Sequence, residues 1–340
     1  MNASSSDGAL KRTALVIGAT GGIGGAVAHA LIAHGWRVLG LSRNPHDSSR
    51  KASWVGPVEW LAGDAMNEPD VVAAAAGVEL IFHGANPPGY RNWRGLAIPM
   101  LNNTIAAARK SGARVILPGN VYNFGPDAGA VVREDSPQHP LTRKGKVRVE
   151  MEQLLAAASK EGIRSLIIRA GDFFGPHQPA SWLKDAMIKP GKPLQSIVYP
   201  GDFQAGHAWA YLPDLAETVA RLANIEKSLP VSDSFHFAGH WLERGVQFAE
   251  AIRHVSGNPE LPIRKLPWIV FYLGAPFVTF LREALEMRYL WRTPLRLDNT
   301  KLVAAIGVEP HTPLEAALRQ TLAVLQCLPR SPAKAVVATA

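Results

Sequence analysis

Residues Thr13 to Gly25 constrain this chain more than any other stretch. Ala14-Leu15-Val16-Ile17 is an apolar run of strand length, glycines stand at 18, 21 and 24, and Ile23, Val27, Ala30 and Leu31 recur at helical spacing. The pattern is strand, tight turn, helix. Glycine reaches backbone angles closed to other residues and lets the main chain approach a ligand where a Cβ would collide. The helix behind the turn directs unpaired N–H groups and the positive end of its dipole forward, which suits a phosphate or pyrophosphate. Gly35 ends that helix, and Arg37 to Leu41 reads as the next, parallel strand. The same glycines also serve a packed turn with nothing bound. Their place between a first strand and a first helix is what points to a dinucleotide.

The alternation continues along the chain. Val58 to Asp64, Leu80 to Pro88, Ala113 to Pro118 and Arg164 to Arg169 are strand-like, with helical spacing over 71–76, 98–110 and 150–158. Such alternation predicts an α/β fold, a Rossmann-type doubly wound parallel sheet that binds its ligand across the carboxyl ends of the strands. Further on, a helix over 215–222 is expected to be capped by Asp214. Ser234 to Gly239 reads as a strand, 246–255 as an amphipathic helix, and Thr312 and Pro313 as the start of the last long helix.

The far side of the turn bears on which dinucleotide fits. A site for NAD usually places a carboxylate about 20 residues past the glycines, on the ribose 2′-hydroxyl. Here Ser42-Arg43-Asn44-Pro45 stands there instead. Arg43 offers a guanidinium fork and Ser42 a further hydrogen bond, both suited to a 2′-phosphate, so NADP is expected ahead of NAD. Asp64 is placed beside the adenine or as a cap of the following helix, and Ala85 where a cofactor lies close. His83, inside an apolar strand, reads first as a hydrogen-bonded core residue.

Composition narrows the partners. The net charge is +8, but the only dense basic cluster, Arg143 to Arg148, comes without any nucleic-acid motif. The excess is therefore assigned to anionic small ligands, and no nucleic-acid partner is expected. The single cysteine, Cys327, excludes an internal disulfide, lacks metal-ligand spacing around it, and fits a reducing cytoplasm. Residues 1–11 lack a signal-peptide layout and read as a disordered tail, and 329–340 as a loose one. Leu266 to Leu281 is apolar but is interrupted by Pro267 and Pro276, runs into Arg282 and Glu283, and falls short of the roughly 20 residues a bilayer span needs. It is expected to be a buried or lid helix, with membrane-surface or partner contact as alternatives, and no stable membrane insertion.

Four motifs occur in a telling order: Gly18-Ala19-Thr20-Gly21-Gly22-Ile23-Gly24, then Arg169-Ala170-Gly171-Asp172-Phe173-Phe174-Gly175-Pro176, then Tyr211-Leu212-Pro213-Asp214-Leu215-Ala216, then Leu297-Asp298-Asn299-Thr300-Lys301. Together they resemble the extended short-chain dehydrogenase/reductases of the NAD-dependent epimerase/dehydratase group, an atypical member at that. The resemblance implies an NAD(P)-binding Rossmann domain over 12–175 and a smaller, mainly substrate-binding C-terminal part over 176–328. Within the latter, 206–225 is expected to pack back on the first domain. The resemblance implies cofactor contacts from Gly18, Thr20, Gly21, Gly22, Ile23, Gly24 and Lys146. It also implies a small carbonyl or sugar-type substrate, and it allows a homodimer.

The family's catalytic pattern is broken here. Its usual machinery is a Tyr four residues before a Lys, with a Ser or Thr at the end of the fifth strand; the cationic lysine lowers the phenol's pKa so that it exchanges a proton while hydride moves. In this chain Lys146 matches the lysine, Thr142 stands at the tyrosine's position, and Asn120 at the serine's. An aliphatic hydroxyl is too weak an acid to replace a phenol. Tyr122 and His207 are the substitute proton donors, each with a plain structural alternative, and Asp172 stands where the family often has Asn. Three readings follow: an oxidoreductase or epimerase with altered acid chemistry, an NADP-binding sensor or scaffold without catalysis, and a partner-binding protein that uses 266–281 as its interface.

Overall fold

The computed structural model describes residues 12–87 and 92–329, together with the backbone but not the side chain of Phe280; the tail expected at 1–11, and all but residue 329 of the one expected at 329–340, lie outside the described residues. Seven strands form one sheet: β1 (Thr13–Ile17), β2 (Arg37–Ser42), β3 (Val58–Ala62), β4 (Leu80–His83), β5 (Arg114–Asn120), β7 (Ser165–Ala170) and β11 (Ser232–Phe237). Every neighbour pair is parallel, in the order β11-β7-β5-β4-β1-β2-β3. The order reverses at β1, so the crevice between the ends of β1 and β4 is the switch point at which such sheets bind ligands. Ile17 lies opposite His83 in that pair.

Period-two alternation divides the core. Ala14 and Val16 face one side with α1 (Gly22–Ala33) and α6 (Leu212–Asn224), while Leu15 and Ile17 face the other with α3 (Glu68–Ala74), α4 (Trp93–Ser111) and α5 (Arg143–Ser159). Leu215, Ala216 and Val219 of α6 join the first cluster, so this helix fills the groove beside α1. The remaining helix of the Rossmann half is α2 (Pro45–Lys51).

Short strands complete the rest: β6 (Val131–Val132), β8 (Asp172–Phe174), β9 (Ile197–Tyr199), β10 (His207–Tyr211), β12 (His240–Leu242), β13 (Ile263–Lys265) and β14 (Arg296–Leu297). With α7 (Val246–Ser256) and α11 (Leu314–Val324), β8, β9, β10, β12 and β13 enclose a separate core around Trp209, which stacks on Phe248 with ring centroids 3.8 Å apart, while β6 and β14 pair with each other in a smaller cluster with Phe124. The helix α10 (Thr300–Ile306) packs on β11.

Three expectations are corrected. The apolar stretch 266–281 is not one buried helix. It is α8 (Trp268–Gly274), a turn, and the start of α9 (Thr279–Glu286), because Pro276 cannot continue the first helix, and most of α8 is exposed. Asp214 does not cap α6, which begins two residues earlier; its carboxylate accepts hydrogen bonds from the N–H of Thr312 at 2.6 Å and its hydroxyl at 2.7 Å. Thr312 is thereby engaged with Asp214, and Pro313 holds the N-cap position of α11.

Candidate active site

The glycine turn closes on itself and on β4. Gly18 has φ 89°, and a Cβ there would lie 2.7 Å from the carbonyl of Gly84, so only glycine lets the two strand ends meet. Gly21 donates to Gly18 O at 2.9 Å, and a Cβ on Gly24 would fall 2.2 Å from that same oxygen. Gly21 is the N-cap of α1 and offers no side-chain cap, and the first turn of α1 has no acidic residue. The first amides of α1 are thus left without any side-chain acceptor from the helix itself. Thr20 is exposed, Ile23 is half-buried against the core, and Ala85 follows Gly84 at the rim.

A loop from beyond β8 lies across this mouth. A Cβ on Gly22 would fall 1.5 Å from Gln178 Oε1, so the carboxamide rests directly on the glycine. Beside it, His177 (φ 59°) stacks on Trp54 with centroids 4.3 Å apart, and Trp54 in turn packs so close to Gly25 that a Cβ there would fall 2.6 Å from its ring. At the end of β2, Ser42 Oγ bonds Ser48 Oγ at 2.6 Å and accepts from Asn44 N, whereas the Arg43 side chain is exposed and has no ion pair among the described residues. Asp64 accepts from Met66 N at 2.9 Å; the cap position of α3 belongs to Asn67.

The stretch expected to carry chemistry is tightly self-bonded. Asn120 Oδ1 accepts from Tyr122 N at 3.0 Å, which organises a 3₁₀ turn over 121–123 and leaves the amide Nδ2 for another oxygen. Tyr122 is half-buried against Val121 and Phe124. Thr142 is buried, and its Oγ1 accepts from Gly145 N at 2.9 Å as the N-cap of α5. Lys146 is exposed one turn on. Lys144 is the buried lysine: its Nζ donates to Glu283 O at 2.8 Å and pairs with the Glu283 carboxylate at 3.2 Å, while burial pulls its pKa below the usual value against the pull of that carboxylate.

His207 and Asp172 form a buried pair. His207 Nε2 lies 2.8 Å from Asp172 Oδ2, and its ring stacks on Trp291 at 4.1 Å. The carboxylate holds the proton on Nε2 and leaves Nδ1 as the basic nitrogen. A cavity of about 10 Å³, room for one water, is lined by Val121, Asp172, His207 and Leu290. The fold therefore brings Val121 of the 121–123 turn and the His207 pair to one cavity, which Asn120 and Tyr122 do not themselves line. His83 belongs elsewhere: it is buried, bonds Thr104 Oγ1 at 2.7 Å, and is pushed down to about 3 by burial and then by Arg148.

Sequence reasoning did not single out three contributors. Gln178 and His177 follow Gly175-Pro176 directly, so the signal was adjacency to a quoted motif; Trp54 carried none. Arg169 holds Glu152 through two bonds of 3.0 and 2.7 Å, and Gln138 links Glu152 to Asn123 beneath the 121–123 turn. Glu283 and Glu286 of α9, left without a role in the sequence, bind the start of α5: Glu286 accepts from the N–H of both Arg143 and Lys144.

A model of the NAD-dependent epimerase/dehydratase family matches residues 14–235. No curated protein matches the chain. Among solved structures, the fold is similar to UDP-glucose 4-epimerase from Bifidobacterium longum in complex with NAD+ and UDP, at 15% identity and TM-score 0.70, covering 91% of this chain and 97% of that one. It is similar also to UDP-glucuronic acid 4-epimerase from Bacillus cereus in complex with NAD, at 17% identity and TM-score 0.72, covering 92% and 98%. A third is the UDP-Glc/GlcNAc 4-epimerase from Campylobacter jejuni, at 15% identity and TM-score 0.70, covering 92% and 99%.

Proposed function

The chain belongs to the NAD-dependent epimerase/dehydratase family and is an enzyme of the extended short-chain dehydrogenase/reductase type; from that premise we propose that it binds a nicotinamide dinucleotide across the β1–β4 crevice and acts on a sugar-type substrate, as epimerase or oxidoreductase. The observation that carries this reading is the glycine-built start of α1, with Gly18 at φ 89° and no side-chain cap hydrogen bond, covered only by the end of the Gln178 side chain. The dinucleotide, when bound, supplies the ring that takes up and returns hydride.

The chain's own residues do the rest. Gly18, Thr20, Gly21, Gly22, Ile23 and Gly24 receive the pyrophosphate once the flexible end of Gln178 withdraws, with Ala85 and Asp64 along the same rim. Arg43, with no carboxylate beside it at the end of β2, suits a 2′-phosphate and so NADP, although the similar epimerases from Bifidobacterium longum and Bacillus cereus hold NAD. Lys146 faces the ribose from the first turn of α5. Asn120 Nδ2 binds a substrate oxygen, and His207 Nδ1 takes a proton from a substrate hydroxyl, with the Asp172 carboxylate stabilising the imidazolium. Tyr122 is the second candidate for that proton. Thr142, whose oxygen is committed to Gly145 N, positions α5 and exchanges no proton. The UDP held by the similar UDP-glucose 4-epimerase from Bifidobacterium longum makes a nucleotide sugar the first substrate to try.

The missing phenol at 142 favours one other reading, a dinucleotide-binding sensor without turnover. Titration with NADPH and NADH, followed by chromatography of a UDP-sugar panel incubated with the loaded protein, separates the two. Saturable binding, tighter for NADPH, with interconversion of at least one sugar is the expected result. Binding without conversion leaves the sensor, and no saturable binding of either dinucleotide overturns both.

A further inference from the structure

From the α8–α9 hairpin we infer a docking surface for a bilayer that contains anionic lipids. Helix α8 buries only Phe271, and Ile269, Val270, Tyr272 and Leu273 point to solvent. The turn that follows adds Phe277, which is 88% exposed, and Val278. A contiguous apolar surface of this kind marks a binding face. It is held out by the rest of the molecule. Trp268 Nε1 donates to Pro200 O at 2.7 Å, and Arg288 donates to the Tyr272 hydroxyl at 2.7 Å. Glu283 and Glu286 pin α9 to Lys144 and Arg143 at the start of α5.

Charge decides what covers the face. Between Glu260 and Glu283 the chain has no carboxylate, while Arg264, Lys265 and Arg282 flank the apolar residues and are exposed. The two acids of α9 bind the cations of α5, with Glu283 also 3.9 Å from Arg282 Nε, so Arg264 and Lys265 are the rim cations without a carboxylate partner among the described residues. A second copy docked through this face would set one cationic rim against another. A bilayer instead takes the apolar side chains at the headgroup boundary and the arginines at phosphate level. No helix among the described residues is long and apolar enough to cross a membrane, so the chain lies on the surface through this hairpin. Because α9 is fastened to α5, docking sets the candidate site beside the lipid.

Co-sedimentation of the full chain with phosphatidylcholine vesicles, with and without phosphatidylglycerol, tests this. Phosphatidylglycerol vesicles should carry the protein down, and added salt should weaken the binding. The double variant Leu273→Glu/Phe277→Glu should lose about tenfold or more of the partitioning, and Lys265→Glu/Arg282→Glu should lose the preference for phosphatidylglycerol. Circular dichroism and Tm confirm that each variant is folded. No sedimentation, equal binding to neutral vesicles, or no effect of the Leu273/Phe277 change overturns the proposal. A wild-type dimer that Phe277→Glu turns into a monomer, without vesicle binding, overturns it too and makes the face a self-interface.

Discussion

Two helices begin at the carboxyl edge of the same sheet, and their first turns are treated in opposite ways. At α1 the chain supplies glycines and no cap, with no acidic residue in the first turn. At α5 it closes the amides with its own oxygens: Thr142 accepts from Gly145 N, and Glu286 accepts from the N–H of Arg143 and Lys144. A helix start that a protein satisfies internally has no dipole end left to offer an anion. On the proposed reading the difference gives α1 to the ligand and the start of α5 to structure, even though the family's catalytic tyrosine belongs at 142.

The sharpest test of the structural side is Glu152→Ala. It strands the buried Arg169 guanidinium and cuts the Gln138 link to Asn123 under the 121–123 turn. Leaving one partner of a buried pair alone costs about 3–5 kcal/mol, read by chemical denaturation. Loss under 1 kcal/mol would mean water reaches Arg169 and that the turn does not depend on it. On the α1 side, Gly18→Val must leave φ 89° and drive a Cβ into the Gly84 carbonyl, for about 2–4 kcal/mol and loss of dinucleotide binding. A variant that keeps full stability but loses binding would sharpen the contrast, since the glycine would then serve the ligand alone.

Acid should erode both sides together. His83, on β4, and His236, which touches Arg169, are each held at about 3, in both cases first by burial. Below their ordinary value near 6.5 the unfolded chain binds protons that the folded chain refuses, so stability is full above that pH and falls as pH drops toward 3. Each histidine contributes a slope approaching about 1.4 kcal/mol per pH unit in that window. His83→Gln should flatten the pH dependence of the unfolding free energy by about one proton's worth, and an unchanged slope would place the titration elsewhere. The smaller effect of Thr142→Ala, about 1 kcal/mol of stability with turnover otherwise kept, follows from loss of a cap; Thr142→Ser should restore it. If Thr142→Ala abolished turnover at unchanged Tm, the assignment of α5's start to structure would be broken.

The parts legible in the sequence are those set by local rules. β1, the glycine turn and α1 announce themselves through periodicity and through glycines that a positive φ requires. What was not legible depends on distant partners. Lys146 looked like the important lysine, yet Lys144 is the buried one, because α9 brings Glu283 to it from 139 positions away. Asp214 looked like a helix cap and serves Thr312 instead, 98 positions on. The strands β6, β8, β9 and β12 to β14 span two or three residues, too short for alternation to show, and exist only through their pairings. His207 was named from a loop, but its Asp172 partner and Trp291 stack come from β8 and from a turn near residue 291.

Gln178 is where the comparison is most delicate, since its carboxamide packs over the first turn of α1, the counterpart of the place where Glu286 hydrogen-bonds the first amides of α5. If that contact is a plug, removing the side chain frees the helix mouth while the His177–Trp54 stack keeps the loop in place. Gln178→Ala should then tighten dinucleotide binding about threefold to tenfold, because a binding-competent state no longer has to be opened first. The gain belongs in Kd with Tm of the free protein nearly unchanged, as the contact is one neutral side chain at a half-buried position. The opposite sign is equally informative. Should Gln178→Ala weaken binding by a similar factor, the carboxamide must turn over in the complex and give its Nε2 donors to the ligand, so that α1 has a movable cap where α5 has a fixed one.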